Sequence, residues 1–219
     1  MHRRDSGSGT FVDPAVRREL KENLRPDDWR NPVPADSYGL VVLGAGFAGL
    51  TAARAAAASG TRVALVERDL LGGDCLNYTC EPSKALIRSA RAYAEMRDAR
   101  HYGATVPPHI EVDFHAAMER VLRLRARLSR TISPRMLREA GIDLFFGHDE
   151  YQGPDRLEID REPVRFEKAL IATGAEPHIP DIPGLEEVGY FTDESIFGID
   201  RLPPRILVIG GGPLGCELA

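Results

Sequence analysis

The sequence predicts an α/β protein built on a parallel sheet, and three observations point there. Short apolar runs at residues 40–43, 62–67, 168–172 and 205–209 read as buried parallel strands. An Ala-rich helical stretch from about 47 to 59, closed by Gly60, separates the first two runs in the manner of a βαβ unit. The same strand–glycine–helix start occurs at 40–50 and again at 206–216.

Residues 1–36 read as an N-terminal extension and linker. Asp13-Pro14 is a helix cap followed by a first-turn proline, and Val16, Leu20 and Leu24 then recur on one helical face. Residues 25–36 hold three prolines and Trp29, the latter read as a packing anchor. After the βαβ unit come two longer helical stretches. One runs from near Cys80 to about Arg100. The other runs from Asp113 to about Ala140, with Phe114, Met118, Val121, Leu124, Leu128 and Ile132 on one face and a break expected at Pro134. Arg120, Arg123, Arg127 and Arg130 lie off that face and read as a solvated surface rather than an anionic docking site. Residues 143–166 alternate short strand-like runs with turns such as Gly153-Pro154-Asp155, before the apolar runs at 168–172 and 205–209.

The 219 residues suffice for one to two domains. A net charge of −5 gives no reason to expect nucleic acid, which recruits clustered positive charge. The longest uncharged stretch, 37–53, contains four glycines and falls short of the ~20 apolar residues a membrane span needs. No apolar run follows the N-terminal arginines, so no signal peptide is visible, and the cytoplasm is the default compartment. Three cysteines in such a chain argue for redox chemistry rather than a structural disulfide framework.

Gly44-Ala45-Gly46-Phe47-Ala48-Gly49 follows a strand and opens a helix, and Glu67 stands 18 residues beyond Gly49 at the end of the next strand. This is the dinucleotide-binding arrangement of a Rossmann-like unit. Gly44 permits the tight turn, Gly46 lets backbone approach a pyrophosphate at the helix N-terminus, and Gly49 lets helix and strand pack closely. Glu67 can accept hydrogen bonds from ribose hydroxyls.

The stretch Gly72-Gly73-Asp74-Cys75-Leu76-Asn77-Tyr78-Thr79-Cys80-Glu81-Pro82-Ser83-Lys84 carries two cysteines separated by four residues. No second Cys or His pair accompanies them, which argues against zinc. Pro82 suits a first helical turn, which puts Cys80 at a helix N-terminus, where the dipole favours a thiolate. Spacing alone leaves two readings open: a reactive pair, or two buried inert cysteines.

This stretch, with Ala85-Leu86-Ile87-Arg88-Ser89-Ala90-Arg91 after it, resembles the signature of the class I pyridine nucleotide–disulfide oxidoreductases, in their mercuric-reductase-like and dihydrolipoamide-dehydrogenase-like branches. The resemblance covers roughly residues 25–219. It implies a flavoenzyme that moves electrons from NAD(P)H through FAD to a redox-active Cys75–Cys80 pair, and on to a small-molecule or metal-ion substrate, mercuric ion or a dithiol/disulfide such as dihydrolipoamide. Cys75 would be the interchange thiol, Cys80 the thiol facing the flavin, and Lys84 a neighbour of the flavin ring; Gly73 falls in the cofactor-binding part of the motif. Ala172-Thr173-Gly174 resembles the second flavin motif, and Asp149 falls where the family contacts adenine. Gly210, Gly212 and Gly215 would form the NAD(P)H turn, with Cys216 as helix packing. Two positions depart from the family pattern. Thr79 stands where glycine is usual and is expected to strain the loop, and Glu81 replaces an apolar residue and is expected to raise the Cys80 pKa.

The resemblance also implies the domain plan: 37–203 as an FAD-binding domain lacking its C-terminal return segment, and 204–219 as the start of an NAD(P) domain. The chain is expected to be a piece of a longer, homodimeric protein whose His–Glu acid/base pair lies elsewhere; His178 does not match it. Two alternatives stand beside this reading: a non-catalytic FAD-binding fragment, and a dehydrogenase that uses the first glycine turn for NAD.

Overall fold

The computed structural model describes residues 13–219; the signal-peptide reading of residues 1–12 lies outside the described residues. Helix α1 (Pro14–Leu24) starts where Asp13 Oδ1 accepts the Ala15 N–H at 2.8 Å, with proline in the first turn. Its Leu20 and Leu24 are buried in the main core, and Trp29 packs edge-on against Phe146.

A four-stranded parallel sheet forms the centre. Strands β1 (Leu40–Leu43), β2 (Val63–Glu67), β3 (Ile142–Phe146) and β7 (Ala169–Ile171) stand in the order β3-β2-β1-β7. Between β3 and β7 the chain makes a separate antiparallel sheet, β4 (Asp149–Gly153), β5 (Arg156–Ile159) and β6 (Glu162–Arg165). Side chains alternate across a strand, and this alternation divides the core in two. Val42, Leu65, Leu144 and Phe146 face a helical layer that includes α1 and α2 (Phe47–Ala58). Val41, Leu43, Ala64, Val66 and Phe145 face the small sheet through Leu157, Ile159 and Val164.

The cysteine region forms α3 (Gly73–Asn77) and α4 (Cys80–Asp98); α3 is an element the residue pattern did not reveal. The next helical stretch breaks as expected, into α5 (Phe114–Ser129) and α6 (Pro134–Glu139), with Ser133 capping the second. The arginine face is exposed and locally paired: Arg123 with Glu119, Arg130 with Glu19, and Arg120 with the Ala85 carbonyl. Short helices α7 (Leu185–Val188), α8 (Asp193–Ile196) and α9 (Pro213–Leu218) complete the described chain. Among the described residues no helix is long and apolar enough to cross a membrane.

Two expectations are corrected. The run at 168–172 does form a strand, β7, but not a buried one: it pairs only with β1, and Ile171 is 66% exposed. The run at 205–209 forms no strand. A parallel strand needs a hydrogen-bonded neighbour, none of the described strands lies beside this segment, and Leu207 is 86% exposed.

The β5–β6 hairpin turns on two residues, Asp160 (φ 49°) and Arg161 (φ 76°), both in the left-handed region. Asp160 is suited to it, since its carboxylate accepts the His148 N–H at 3.0 Å. Arg161 has no such local compensation. Relief of left-handed strain, less the chain entropy glycine adds, makes Arg161→Gly stabilising by about 0.5–1 kcal/mol in urea denaturation.

Candidate nucleotide and dithiol site

The sheet order reverses between β1 and β7, and the loops leaving the carboxyl ends of β1, β2 and β7 converge there, the usual place for a ligand crevice in such sheets. Gly44 turns with φ +97°, and a Cβ on it would lie 2.3 Å from the Ala172 carbonyl oxygen. The Ala172 N–H donates to Leu43 O at 2.8 Å, so the Ala172-Thr173-Gly174 turn is seated directly on the first glycine turn. Gly46 caps α2 with no side-chain hydrogen bond, leaving its N-terminal amides to a ligand, and Phe47 beside it is 75% exposed. A Cβ on Gly49 would sit 1.9 Å from Gly44 O. The third glycine is therefore required for the helix to reach the turn.

Glu67 ends β2 and is buried. Its carboxylate accepts from Ala45 N and from Asp69 N, each at 2.8 Å. Burial pushes its pKa up, and the two backbone bonds oppose that. Asp149 opens β4 two residues after Gly147, whose N–H donates to Glu67 O at 3.0 Å, so it stands near the end of β2.

The cysteine loop docks onto the same turn. Gly72 N donates to Ala45 O at 2.8 Å, Gly46 and Gly72 form a parallel bridge, and a Cβ on Gly73 (φ +55°) would meet Gly46 Cα at 2.8 Å. The Tyr78 and Thr79 amides both donate to Asp74 O at 2.8 Å, which bends the chain back so that Cys80 opens α4 against Cys75. The two Sγ atoms are 2.6 Å apart and half-buried. The structure thus sets the two thiols side by side and only partly buried. Thr79 takes φ −128°, so the loop makes no left-handed demand there, and its hydroxyl donates to Cys80 Sγ at 3.6 Å. The carboxylate of Glu81 acts on Cys75, adding to a thiol pKa pushed up to about 11 by the hydrogen bond with Cys80, burial, and the neighbouring charges of Cys80, Glu81 and Asp74.

A raised thiol pKa has two readable consequences. In the dithiol form, alkylation of Cys75 by iodoacetamide is expected to rise with pH through a midpoint of about 11. The folded protein also holds this proton more tightly than the unfolded chain, whose thiol titrates near 9.0, so this group's contribution to stability declines from about pH 9 to about pH 11. Mass spectrometry of the alkylated peptide checks the first, and denaturation across that window the second.

Lys84 stands on the exposed side of α4, where its Nζ meets Glu217 Oε1 at 2.6 Å, and buried Ser83 donates to the other Glu217 oxygen. These contacts hold the Glu217 carboxyl below its usual range, the Lys84 contact foremost. Glu217 was not among the expected site residues; its only local signal is a charge in an otherwise uncharged helical turn, Pro213–Leu218. Gly210, Gly212 and Gly215 repeat the first turn closely. Gly210 has φ +111°, Gly212 caps α9 in the same extended conformation as Gly46, and a Cβ on Gly215 would lie 2.4 Å from Gly210 O. Cys216 is exposed, with Sγ 3.4 Å from Gly211 O, rather than packed against a sheet as its sequence position suggests.

Fold and site together define an α/β protein of Rossmann-like type with a thiol pair set beside its glycine turn. The comparisons make this specific. Residues 38–219 match the pyridine nucleotide-disulphide oxidoreductase family, and the chain belongs to it. It is 31% identical over 183 residues to the mercuric reductase of Lysinibacillus sphaericus (84% of this chain, 33% of that protein) and 32% identical over 184 residues to the glutathione reductase of Burkholderia cepacia (83% and 40%). It is 27% identical over 186 residues to the dihydrolipoyl dehydrogenase of Acholeplasma laidlawii (83% and 55%). Among solved structures it is similar to the HOCl-induced flavoprotein disulfide reductase RclA from Escherichia coli, with a TM-score of 0.66 and 29% identity over 83% of this chain and 38% of that one. The chain thus spans about a third to a half of the length of these relatives.

Proposed function

We propose that the chain carries the FAD-binding and dithiol part of a flavin-dependent disulfide oxidoreductase that draws electrons from NAD(P)H. The observation that carries this reading is the 2.6 Å Sγ–Sγ separation of Cys75 and Cys80, on a loop whose Gly72 and Gly73 lie against Gly46 of the nucleotide turn. The α2 N-terminus, free of a side-chain cap, fits a pyrophosphate, and Glu67 fits a ribose if its oxygens exchange one backbone amide for a hydroxyl. When bound, the flavin supplies a two-electron link between NAD(P)H and the cysteine pair. The protein's part is to hold the disulfide next to that link, then release the pair as a dithiol to a substrate. The dithiol can exchange with a disulfide, returning as Cys75–Cys80 disulfide with loss of two electrons and two protons, or it can grip a soft metal ion. Mercuric ion is the first substrate we infer; the second is dihydrolipoamide, for which the flow runs in reverse, the substrate dithiol closing to its disulfide as it reduces the Cys75–Cys80 disulfide and the two electrons passing on towards the nicotinamide. A homodimer of the intact protein and a cytoplasmic setting complete the proposal.

Anaerobic dithionite titration of the flavin-loaded chain tests it. Two electron pairs per flavin are expected, one for the disulfide and one for the ring; uptake of a single pair overturns the dithiol assignment. One observation favours a second reading, a flavin-binding piece that NAD(P)H cannot reduce: residues 205–209 do not join a sheet, so the second glycine turn lacks the support β1 has. Bleaching by dithionite but not by NADPH is the outcome that reading requires.

A further inference from the structure

The family match begins at residue 38, yet the segment before it reaches the redox loop. We infer that residues 14–36 act as a clamp on this loop: they fix the backbone between Glu67 and Gly72 and so the alignment of Cys75 with Cys80. The inference rests on the dithiol reading above and adds a positioning element to it. Arg25, the cap residue just after α1, donates from Nη1 to the carbonyls of Arg68 and Asp69, the latter at 2.9 Å, while its guanidinium lies 5.1 Å from the centroid of Phe146. The Leu24 carbonyl accepts the Leu71 N–H at 3.2 Å. From Leu71, which is fully buried, the connection continues inward. Asn77 Nδ2 donates to Leu71 O at 3.0 Å and to Gly73 O at 2.9 Å, and Asn77 sits in α3 between the two cysteines. Arg125 closes the far side by donating to Asn77 Oδ1 at 3.0 Å. Leu71 is therefore held on its N–H by the extension and on its carbonyl by the redox loop.

The clamp itself is anchored independently of the loop. Leu20 and Leu24 are buried in the main core, Asn23 donates to Ser129 Oγ at 3.0 Å, and Glu19 pairs with Arg130. Asn31 both donates to Phe146 O and accepts from Phe146 N, each at 2.8 Å, which gives the open edge of β3 the hydrogen bonds a further strand would supply. An ordered base for the loop keeps the two thiols close in the reduced form, which raises their effective concentration and favours the disulfide.

The test compares Arg25→Met with Leu157→Ala in the 219-residue chain without flavin. Each is equilibrated in glutathione redox buffers at a temperature where it remains folded, and its melting temperature is recorded. Arg25→Met is expected to make the Cys75–Cys80 disulfide about tenfold easier to reduce and to speed exchange of the Leu71 and Gly72 amides. Arg25→Lys is expected to recover only part of this, because one ammonium cannot reproduce the contacts of the planar guanidinium. Leu157→Ala, which opens the core beneath the small sheet without touching α1 or residues 68–71, is expected to lower the melting temperature and leave the equilibrium within twofold of wild type. Equal redox shifts in the two variants, or none in Arg25→Met, overturn the clamp. Because these readouts use no flavin, failure to bind FAD counts against the proposed function alone.

Discussion

Gly44→Ala is expected to lower folding stability by about 3–5 kcal/mol, combining the cost of a left-handed non-glycine residue with that of overpacking, and to abolish nucleotide binding. At φ +97° the new Cβ would stand 2.3 Å from Ala172 O and 2.8 Å from Ala172 C, both backbone atoms. Ala172 cannot retreat without breaking its hydrogen bond to Leu43 O, so relief would part β1 from β7 at the crevice. Gly60→Ala is the control. Gly60 has φ +84° but nothing within 4 Å of its would-be Cβ, so only the conformational cost of about 1–2 kcal/mol applies. Urea midpoints for the two variants separate the effects, and equal losses would mean the approach to Ala172 is not a constraint.

Cys75→Ser and Cys80→Ser are each expected to reduce dithiol-dependent exchange by three orders of magnitude or more while leaving flavin affinity within a few-fold of wild type. Neither sulfur can form the intramolecular disulfide alone, and on the proposed function the pair is what carries two electrons to the substrate. Flavin affinity should persist because the glycine turn contacts the cysteine loop through Gly72 and Gly73 rather than through the sulfurs. Cys216→Ser should leave exchange unchanged, since this thiol is exposed and lies against Gly211 O. Exchange with a small disulfide, followed by absorbance, measures all three variants. Full exchange in either single variant of the pair would remove it from the electron path.

The glycine turn, its flanking strands and the break at Pro134 were readable from the sequence because each is a local pattern: a period of apolar residues, a glycine, a proline. The pair Cys75 and Cys80 was readable as a spacing, and the family resemblance supplied its role. What escaped was set by distance along the chain. Glu217 meets Lys84 across 133 residues, Arg25 meets Arg68 across 43, and no local pattern records either. Helix α3 is five residues long and opens on a left-handed Gly72, so it shows no helical period. The run at 205–209 has strand propensity, but propensity does not supply a partner, and without one the segment stays unpaired.

That segment has a practical consequence for anyone handling the protein. Ile206, Leu207, Val208 and Ile209 present four consecutive aliphatic side chains to water with no strand ladder, directly after the charged Arg205. Such a stretch is a template for strand-to-strand sticking between molecules. Turbidity on concentration or salting should therefore respond to a single Val208→Lys gatekeeper, with no change in flavin content.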